Sequence, residues 1–387
     1  MASTRHPDLL ILGGGCAGLS LARELAAAGS GLDVVIVEPR ERYTDDRTWC
    51  FWEHDRHHLD HLVSQRWHRW RCSRANRTVI ERSAPGISYQ LVRALDFYQD
   101  ALAVIDGSSI ELARGRRVEA IRRAGQAWQV ETDQGPMRAA RVVDTRPPAR
   151  EHLAGAAIFQ CFSGQILRLC GGQRPDPGAV GLMVDLRNDP HGLLFHYVLP
   201  LGEDRVLAEA TRFAPVPIGP QVLADDLAGL RRQRGWTGAA VEKDEHAILP
   251  MGLPLLNHAP SPGLVRAGTG AGALRPASGY GFLRIQAWAR ACATRLASGQ
   301  APIGHPLGPL RQRLMDRLFL DVLRGRPELG PMLFERLFER TDPGALVRFL
   351  SDRASPTDCL RVVTSLPRMP FLRQLLTPSR RRSSGLA

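Results

Sequence analysis

The sequence lacks any run of about 20 uncharged apolar residues, the length that a membrane-spanning helix requires. The nearest candidate, residues 9–29, is rich in glycine and carries Arg23 and Glu24. The chain also begins without the apolar run that follows a basic start in a secretory signal. We therefore expect a cytoplasmic protein, either free or adsorbed to the face of a membrane.

Cysteine pairing motifs are lacking as well. The seven cysteines are scattered and none belongs to a Cys-x-x-Cys pair, which argues against a disulfide framework or a zinc knuckle. His54, His57, His58 and His61 lie close together with i,i+4 spacings, but no third ligand accompanies them. We interpret this stretch as a polar surface helix and expect no metal site.

Lysine is nearly absent, so arginine supplies almost all of the positive charge. The net charge is +12 and the isoelectric point is about 10.2. A surface this basic attracts polyanions, either nucleic acid or anionic lipid headgroups. Residues 66–71 alternate arginine with tryptophan, a mixture that suits both kinds of partner. No nucleic-acid-binding motif accompanies it, which favours an anionic membrane surface over nucleic acid.

The order of apolar segments predicts an α/β protein in three parts. With 44% hydrophobic and 23% charged residues, the 387-residue chain is typical of a folded globular protein. We predict a Rossmann-like domain at 1–150, with an intervening segment at 45–110, which resumes at 256–303. A substrate domain with a mostly antiparallel sheet occupies 151–255, a helical and membrane-facing region 304–375, and a basic disordered tail 376–387.

A glycine-rich turn near the start of the chain predicts a dinucleotide site. Gly13-Gly-Gly15-Cys-Ala-Gly18 fits G-x-G-x-x-G between a short apolar strand and a helical segment. A second apolar strand ends at Glu38, about 20 residues after Gly18, where an acid can accept hydrogen bonds from ribose hydroxyls. The helix start would present free N–H groups to a diphosphate.

A second glycine-rich element far downstream favours FAD over NAD. Flavoproteins of the hydroxylase type close the site with Gly-Asp and then Pro-x-x-Gly-x-Gly. This chain has Gly268-Thr269, followed by Pro276-Ala-Ser-Gly279-Tyr280-Gly281. Backbone N–H groups at a helix start there would stabilise negative charge on a reduced flavin ring.

Several motifs together resemble the bacterial FAD-dependent lycopene cyclases. They comprise residues 46–52 (Asp-Arg-Thr-Trp-Cys-Phe-Trp), 143–148, 191–201, 207–211 (Leu-Ala-Glu-Ala-Thr), 267–282, 317–320, 333–338 and 348–350. The resemblance implies a flavoprotein fold, peripheral membrane attachment, lycopene as substrate, and a reaction without net redox change. It implies reduced FAD, kept reduced by NAD(P)H. The cofactor-binding residues that we expect are Gly13, Gly14, Gly15, Ala17, Gly18, Glu38, Asp144, Gly268, Thr269, Gly279, Tyr280 and Gly281.

The chain departs from the family pattern at two places. Ala210 stands between Glu209 and Thr211, where the family has an acid or an aromatic residue. Val184 follows Met183 where the family often has aspartate, and Asp185 comes one position later. These differences bear on ring specificity and on the surroundings of the site.

Glu209 is the candidate proton donor. Cyclisation requires protonation of an isolated alkene, which is a very weak base, so the acid must be neutral and shielded from water. The period of a strand places Leu207, Glu209, Thr211 and Phe213 on one face, where the carboxyl would be desolvated. From the pattern alone a solvent-facing glutamate is the commoner arrangement, and the family resemblance reverses that preference.

Glu245 also matches an acid of the family, and it would orient the site or accept the final proton. The alternative interpretation of Glu245 is a surface acid at the edge of a loop. Nearby aromatic faces can stabilise a cation, although each is more often simply core.

Two other functions fit the same motifs. One is a redox flavoenzyme, such as a hydroxylase or an isoprenoid reductase. The other is a carotenoid or lipid carrier with a vestigial flavin site. A dependence of product formation on Glu209 and reduced FAD separates the cyclase from both.

Overall fold

The computed structural model describes residues 6–54, 56–148, 153, 155–253 and 261–376. The strands within these ranges are β1 Leu9–Leu12, β2 Val34–Glu38, β3 Thr48–His54, β4 Val63–Trp67, β5 Arg69–Cys72, β6 Ile80–Arg82, β7 Ile87–Arg93, β8 Ile110–Arg114, β9 Val118–Ala124, β10 Ala127–Thr132, β11 Met137–Ala139, β12 Arg141–Asp144, β13 Ile158–Arg168, β14 Ala179–Asp189, β15 Gly192–Pro200, β16 Arg205–Ala214, β17 Ala240–Met251 and β18 Leu264–Arg266. The helices are α1 Cys16–Ala27, α2 Ala94–Ile105, α3 Pro220–Arg234, α4 Phe282–Ala297, α5 Leu310–Gly325, α6 Gly330–Arg340, α7 Pro343–Leu350, α8 Pro356–Ser365 and α9 Arg368–Leu376.

The chain divides into two compact units. The first comprises Met1–Arg66, Ser88–Ala156 and Leu253–Leu307, and the second comprises Trp67–Ile87, Ala157–Gly252 and Gly308–Ala387. The domain boundaries derived from the sequence stay a prediction. In the structure, residues 67–87 group with the large antiparallel sheet and the C-terminal helices.

The first unit is built on a five-stranded parallel sheet of order β18-β12-β1-β2-β8. Its central strands are continuous apolar runs because both faces are covered. On one face, Leu9, Ile11 and Ile36 pack in a cluster with α1, α2 and α4. On the other face, Leu10 and neighbouring side chains pack against the antiparallel sheet β11-β10-β9. The βαβ order and the return to the sheet at β18 confirm the predicted flavoprotein architecture.

The second unit contains a seven-stranded sheet of order β17-β13-β16-β15-β14-β5-β6, antiparallel except where β14 meets β5. Strands β15 and β16 form a hairpin within this sheet. Helix α3 covers one face of β16, where Ala208 and Ala210 pack with Leu227, Leu230 and Trp236. The C-terminal helices cover the opposite face through aromatic contacts. The predicted C-terminal helical region is confirmed.

Two local interpretations were wrong. The histidine stretch is not a surface helix, because His54 ends β3 and only Asp60–Leu62 forms a short 3-10 helix. Its members have separate partners: the His57 ring contacts Gln90, and the His61 ring contacts Asp100. The tryptophans of residues 66–71 do not form an interfacial surface, since Trp67 and Trp70 are each only 1% exposed.

Candidate active site and cofactor site

The glycine turn lies between β1 and α1 and uses each glycine differently. Gly13 has φ +97°, a value that only glycine adopts without strain. A Cβ on Gly18 would lie 1.9 Å from the Gly13 carbonyl oxygen, so helix α1 packs directly on the turn. A Cβ on Gly15 would meet no protein atom within 4 Å. The turn is therefore closed on the protein side and open above Gly15, at the N-terminus of α1.

Glu38 lies beside this turn at the carboxyl end of β2. Its carboxylate is buried and accepts hydrogen bonds from the Gly14 N–H at 2.7 Å and from the Arg40 side chain at 2.8 Å. The Tyr43 hydroxyl donates to the Gly14 carbonyl at 2.9 Å. This network fixes the acid against the glycine turn, in the position that the dinucleotide fingerprint requires.

Three strand ends converge on the same turn. A Cβ on Gly268 would lie 3.1 Å from the Thr145 carbonyl oxygen and 3.6 Å from the Ala17 Cβ. The strands β1, β12 and β18 are parallel, so their carboxyl ends meet at one edge of the sheet, where nucleotides bind in such folds. The structure thus brings Gly13, Ala17 and Gly268 together.

Asp144 anchors the exit loop of β12. Its buried carboxylate receives two N–H groups of the Arg146 guanidinium, at 2.8 and 2.9 Å. The Asp144 backbone carbonyl accepts the Ala267 N–H at 2.9 Å. The Asp144 backbone therefore ties the loop to the residue after β18, while its side chain is paired with Arg146.

The second glycine-rich element forms the entry to α4. Thr269 begins a short 3-10 turn, and Gly281 precedes the first residue of the helix. The Gly279 N–H donates to the Arg275 carbonyl at 2.9 Å, so this donor is used within the turn. Tyr280 lies edge-on to Trp52, with ring centroids 5.5 Å apart. Burial raises the pKa of the Tyr280 hydroxyl, which keeps it protonated.

Sequence reasoning assigned no role to two features of this unit. The rings of Trp49 and Phe51 stack on that of Phe282, the first residue of α4, with centroid distances of 5.2 and 5.3 Å. His305 accepts the Gly268 N–H through Nε2 at 2.9 Å and lies against Trp288. Burial and the charge of Arg284 lower the pKa of His305 to about 3, so the ring stays neutral and able to accept. No local sequence signal marks His305.

These features fit FAD. The open glycine turn with Glu38 suits a diphosphate and a ribose, and the half-buried aromatic turn at Tyr280 suits a planar ring. Within the described ranges, no group of three or more His, Cys, Asp or Glu side chains is arranged to hold a metal ion.

In the second unit, two glutamates face each other across one glycine. Glu209 on β16 and Glu245 on β17 both pair in register with Gly164 on the intervening strand β13. A Cβ on Gly164 would lie 3.3 Å from the Glu245 Cγ and 3.5 Å from the Glu209 Cβ and Cγ. Glycine therefore leaves room for two carboxyl stems side by side. The sequence alone does not reveal this pairing, since the three residues are far apart along the chain.

The environment of Glu209 favours its protonated form. The residue is 9% exposed, and the Thr211 hydroxyl donates to its Oε1. Burial, together with the nearby Glu245 carboxylate, raises the pKa of Glu209 to about 8, although the Thr211 hydrogen bond opposes the rise. Glu245 is 6% exposed and its Oε2 lies 3.3 Å from the Lys243 ammonium. Among the described residues, a cation therefore lies beside the Glu245 carboxyl, and a neutral hydroxyl lies beside that of Glu209.

Aromatic side chains extend from this pair along the same face of the sheet. Tyr197 pairs in register with Glu209, and its ring lies 5.5 Å from that of Phe195. Phe195 contacts Phe213 at 5.0 Å, and Phe213 contacts Phe334 of α6 at 5.9 Å. Beyond Phe213 lies a cavity of about 260 Å³. Its lining is mainly apolar and includes Ile158, Leu193, Phe213, Val216, Ile218 and Leu323.

The two departures from the family pattern lie on the other face. Ala210 is fully buried beneath α3, on the side of β16 opposite Glu209. At the second departure the register of β14 shifts on both sides of Val184, and Asp185 has φ +55°. The bulge carries the Asp185 carboxylate to 3.9 Å from His196 Nδ1, on the α3 side. Neither replacement alters the face that carries the two glutamates.

Comparison with known proteins gives a family match across almost the whole chain. The model described as lycopene cyclase protein matches residues 8–376. The lycopene beta-cyclase of Pseudescherichia vulneris is 25% identical, with 94% of this chain and 95% of that protein covered. The lycopene beta-cyclase of a Paracoccus species is 28% identical over the same shares. An uncharacterized carotenoid cyclase of Deinococcus radiodurans is 30% identical, covering 76% of this chain and 72% of the relative.

Solved structures with the same fold are flavoproteins. A geranylgeranyl bacteriochlorophyll reductase-like protein from Thermoplasma acidophilum superposes with a TM-score of 0.62 at 12% identity, covering 95% of this chain and 98% of that one. CtdE, solved with FAD and a substrate, superposes with a TM-score of 0.58 at 11% identity, covering 93% and 100%. At these identities the likeness concerns the fold alone, and the fold is that of FAD-binding flavoproteins.

Proposed function

Because the chain belongs to the lycopene cyclase family, we propose that it closes the linear ends of lycopene into β-ionone rings by acid–base catalysis, without net redox change. The observation that carries the mechanism is the buried pair Glu209 and Glu245 across Gly164. An acid with a pKa of about 8 retains its proton at neutral pH, and its surroundings exclude the water that would compete for that proton.

Glu209 is the proposed proton donor. Its proton passes to the less substituted carbon of the alkene at the end of the polyene, and the positive charge appears on the adjacent, more substituted carbon. The electrons of a neighbouring double bond close the ring and move the charge into it. Loss of a ring proton to Glu245 then forms the ring double bond. One proton is gained and one is lost, so the mass of the carotenoid is unchanged.

The aromatic side chains beside Glu209 supply the cation stabilisation that this route requires. The faces of Tyr197 and Phe195 carry the negative part of the ring quadrupole, and they lie on the same side of the sheet as the carboxyl. Such contacts contribute about 1 to 2 kcal/mol each when water is excluded. They also give the site the apolar character that a hydrocarbon substrate needs.

The cofactor belongs to the first unit. Gly13, Gly15, Gly18 and Glu38 would hold the diphosphate and ribose of FAD, and the turn at Gly279–Gly281 would hold the ring end. When bound in its reduced form, FAD would supply negative charge and would not be consumed. The electron donor that we propose is NAD(P)H.

The C-terminal helices support attachment to a membrane surface. No helix among the described residues is long and apolar enough to cross a bilayer. Several large apolar side chains are nevertheless at least half exposed in α5, α8 and α9, and arginines accompany them: Leu314, Leu360, Met369, Leu372, Leu375 and Leu376. Apolar side chains edged by cations are typical of helices that lie in a membrane interface.

Liposome sedimentation tests this attachment. We expect Leu372→Gln/Leu375→Gln/Leu376→Gln to lower binding to anionic liposomes about 10-fold or more, since each apolar side chain contributes roughly 1 kcal/mol or more on burial. The matched control is Val216→Gln, which changes a side chain that is 61% exposed outside these helices. Equal binding by wild type and triple variant would contradict the proposal.

The function itself is tested with lycopene in liposomes under anaerobic conditions, with FAD either oxidised or reduced beforehand. We expect monocyclic and bicyclic carotenes of unchanged mass with reduced FAD only, and none from Glu209→Gln. Glu203→Gln, an exposed acid in the turn of the same hairpin, should retain full activity. Oxidised or hydrogenated products would instead identify a redox flavoenzyme, and unchanged lycopene would favour a carrier.

A further inference from the structure

The two carboxyl groups of the site have unequal neighbours. Glu209 accepts a hydrogen bond from the neutral Thr211 hydroxyl, whereas the Glu245 carboxylate lies 3.3 Å from the Lys243 ammonium. Two buried carboxyls whose stems share one gap cannot both be ionised at low cost, so the pair retains one proton. A cation beside one of them decides which carboxyl loses its proton first.

Lys243 is the single lysine of the sequence. Lysine and arginine together number 51, so the other fifty basic residues are arginine. The strand that carries Lys243 places its side chain on the Glu209 face, two residues before Glu245. An ammonium is a compact point charge on a flexible stem, whereas a guanidinium is a planar fork with five donors. A compact cation can act on one carboxyl of a close pair without bridging both.

We propose that Lys243 is a positioning residue that keeps Glu245 ionised and thereby leaves the shared proton on Glu209. The inference rests on the proposed function, because it assigns donor and acceptor within the same pair. It also explains why two acids of the same type, on the two strands that flank β13, have different roles. The proton starts on Glu209 and ends on Glu245, the carboxyl beside the Lys243 ammonium.

The groups around the pair are consistent with this division. Strand β13 contributes Gly164, and β15 contributes Tyr197 opposite Glu209. On β17, Asp244 and His246 alternate to the other face, and the Asp244 carboxylate accepts a hydrogen bond from Gln165 there. Helix α6 contacts this face through Phe334, and α5 contacts Phe334 through Phe319.

Infrared spectroscopy tests the charge assignment without catalysis. At neutral pH, we expect the carbonyl stretch of a buried protonated carboxyl in the wild type and its loss in Glu209→Gln. In Glu209→Gln/Lys243→Met the remaining Glu245 loses its cation, and a protonated-carboxyl band should return. Glu209→Gln/Lys243→Arg retains a cation and should show no band. A full band in the Glu209→Gln single variant, or none in the Lys243→Met double variant, would overturn the proposal.

The pH dependence of cyclisation provides the second readout. The acceptor must be ionised and the donor protonated, so the profile is bell-shaped. We expect Lys243→Met to move the acid limb of the profile to higher pH by about one unit. An opposite charge at this distance lowers the pKa of a carboxyl by roughly one to three units, and the substitution removes that charge. Lys243→Arg should leave the acid limb within about half a unit, whatever its effect on the rate.

The outcomes separate the two claims. A uniform loss of rate in Lys243→Met, with unchanged limbs, would make Lys243 merely structural and would refute the assignment. Wild-type protein that leaves lycopene unchanged with reduced FAD would refute the proposed function, while the infrared result would still decide the charge of the pair.

Discussion

The raised pKa of Glu209 has a consequence for stability that is independent of catalysis. The ordinary pKa of a glutamate is 4.5, and in the folded protein that of Glu209 is about 8, because of burial and the Glu245 carboxylate. The folded state therefore binds a proton that the unfolded chain releases between these values. Its stabilising contribution is complete below pH 4.5 and is lost as the pH rises through about 8.

The magnitude follows from the same two values. Each pH unit in this window costs about 1.4 kcal/mol of unfolding free energy, so Glu209 lowers stability by about 3 to 5 kcal/mol at pH 9 relative to pH 4.5. Glutamine has nearly the shape of protonated glutamate and does not ionise. We expect Glu209→Gln to be inactive but more stable than wild type at alkaline pH, with the two proteins converging near pH 5.

Urea unfolding curves at a series of pH values measure this difference. They should be recorded on protein without flavin, so that ligand binding does not contribute to the midpoint. Glu203→Gln serves as the control, because its exposed side chain should leave the pH dependence of wild type unchanged. If the unfolding free energies of wild type and Glu209→Gln change with pH in parallel, Glu209 is already ionised in the folded protein and cannot be the proton donor.

Three further pairs of substitutions test how glycine and histidine build the two sites. Gly164→Ala places a methyl group 3.3 Å from the Glu245 Cγ and should lower cyclisation about 10-fold, measured by chromatography, whereas Gly171→Ala meets no atom within 4 Å and should not. Gly15→Ala should leave the urea midpoint unchanged but weaken FAD binding about 10-fold in a fluorescence titration, because its methyl enters the open part of the turn. Gly18→Ala, whose methyl would lie 1.9 Å from a backbone oxygen, should instead lower the midpoint itself. His305→Phe keeps an aromatic ring against Trp288 but removes the acceptor for the Gly268 N–H, so FAD affinity should fall about 10-fold. His305→Gln keeps a hydrogen-bond acceptor and should retain part of the FAD affinity.

The predictions that depended on neighbouring residues were the most accurate. The βαβ unit with its glycine turn follows from periodicity and turn chemistry over about 10 to 20 residues. The histidine stretch and the tryptophans of residues 66–71 were misread for the same reason. Their local composition suits a surface, but β4 and β5 place the tryptophans in the interior.

The sequence by itself determined the family, the flavoprotein fold and Glu209 as the candidate acid, because motifs and strand periodicity are local properties of the chain. Only the tertiary structure decided the surroundings of that acid. Sheet register brings Gly164 and Glu245 beside it, and the β14 bulge and helix α3 place Asp185 and Ala210 on the other face. A pKa depends on distance and burial in three dimensions, and neither quantity is encoded in any single segment.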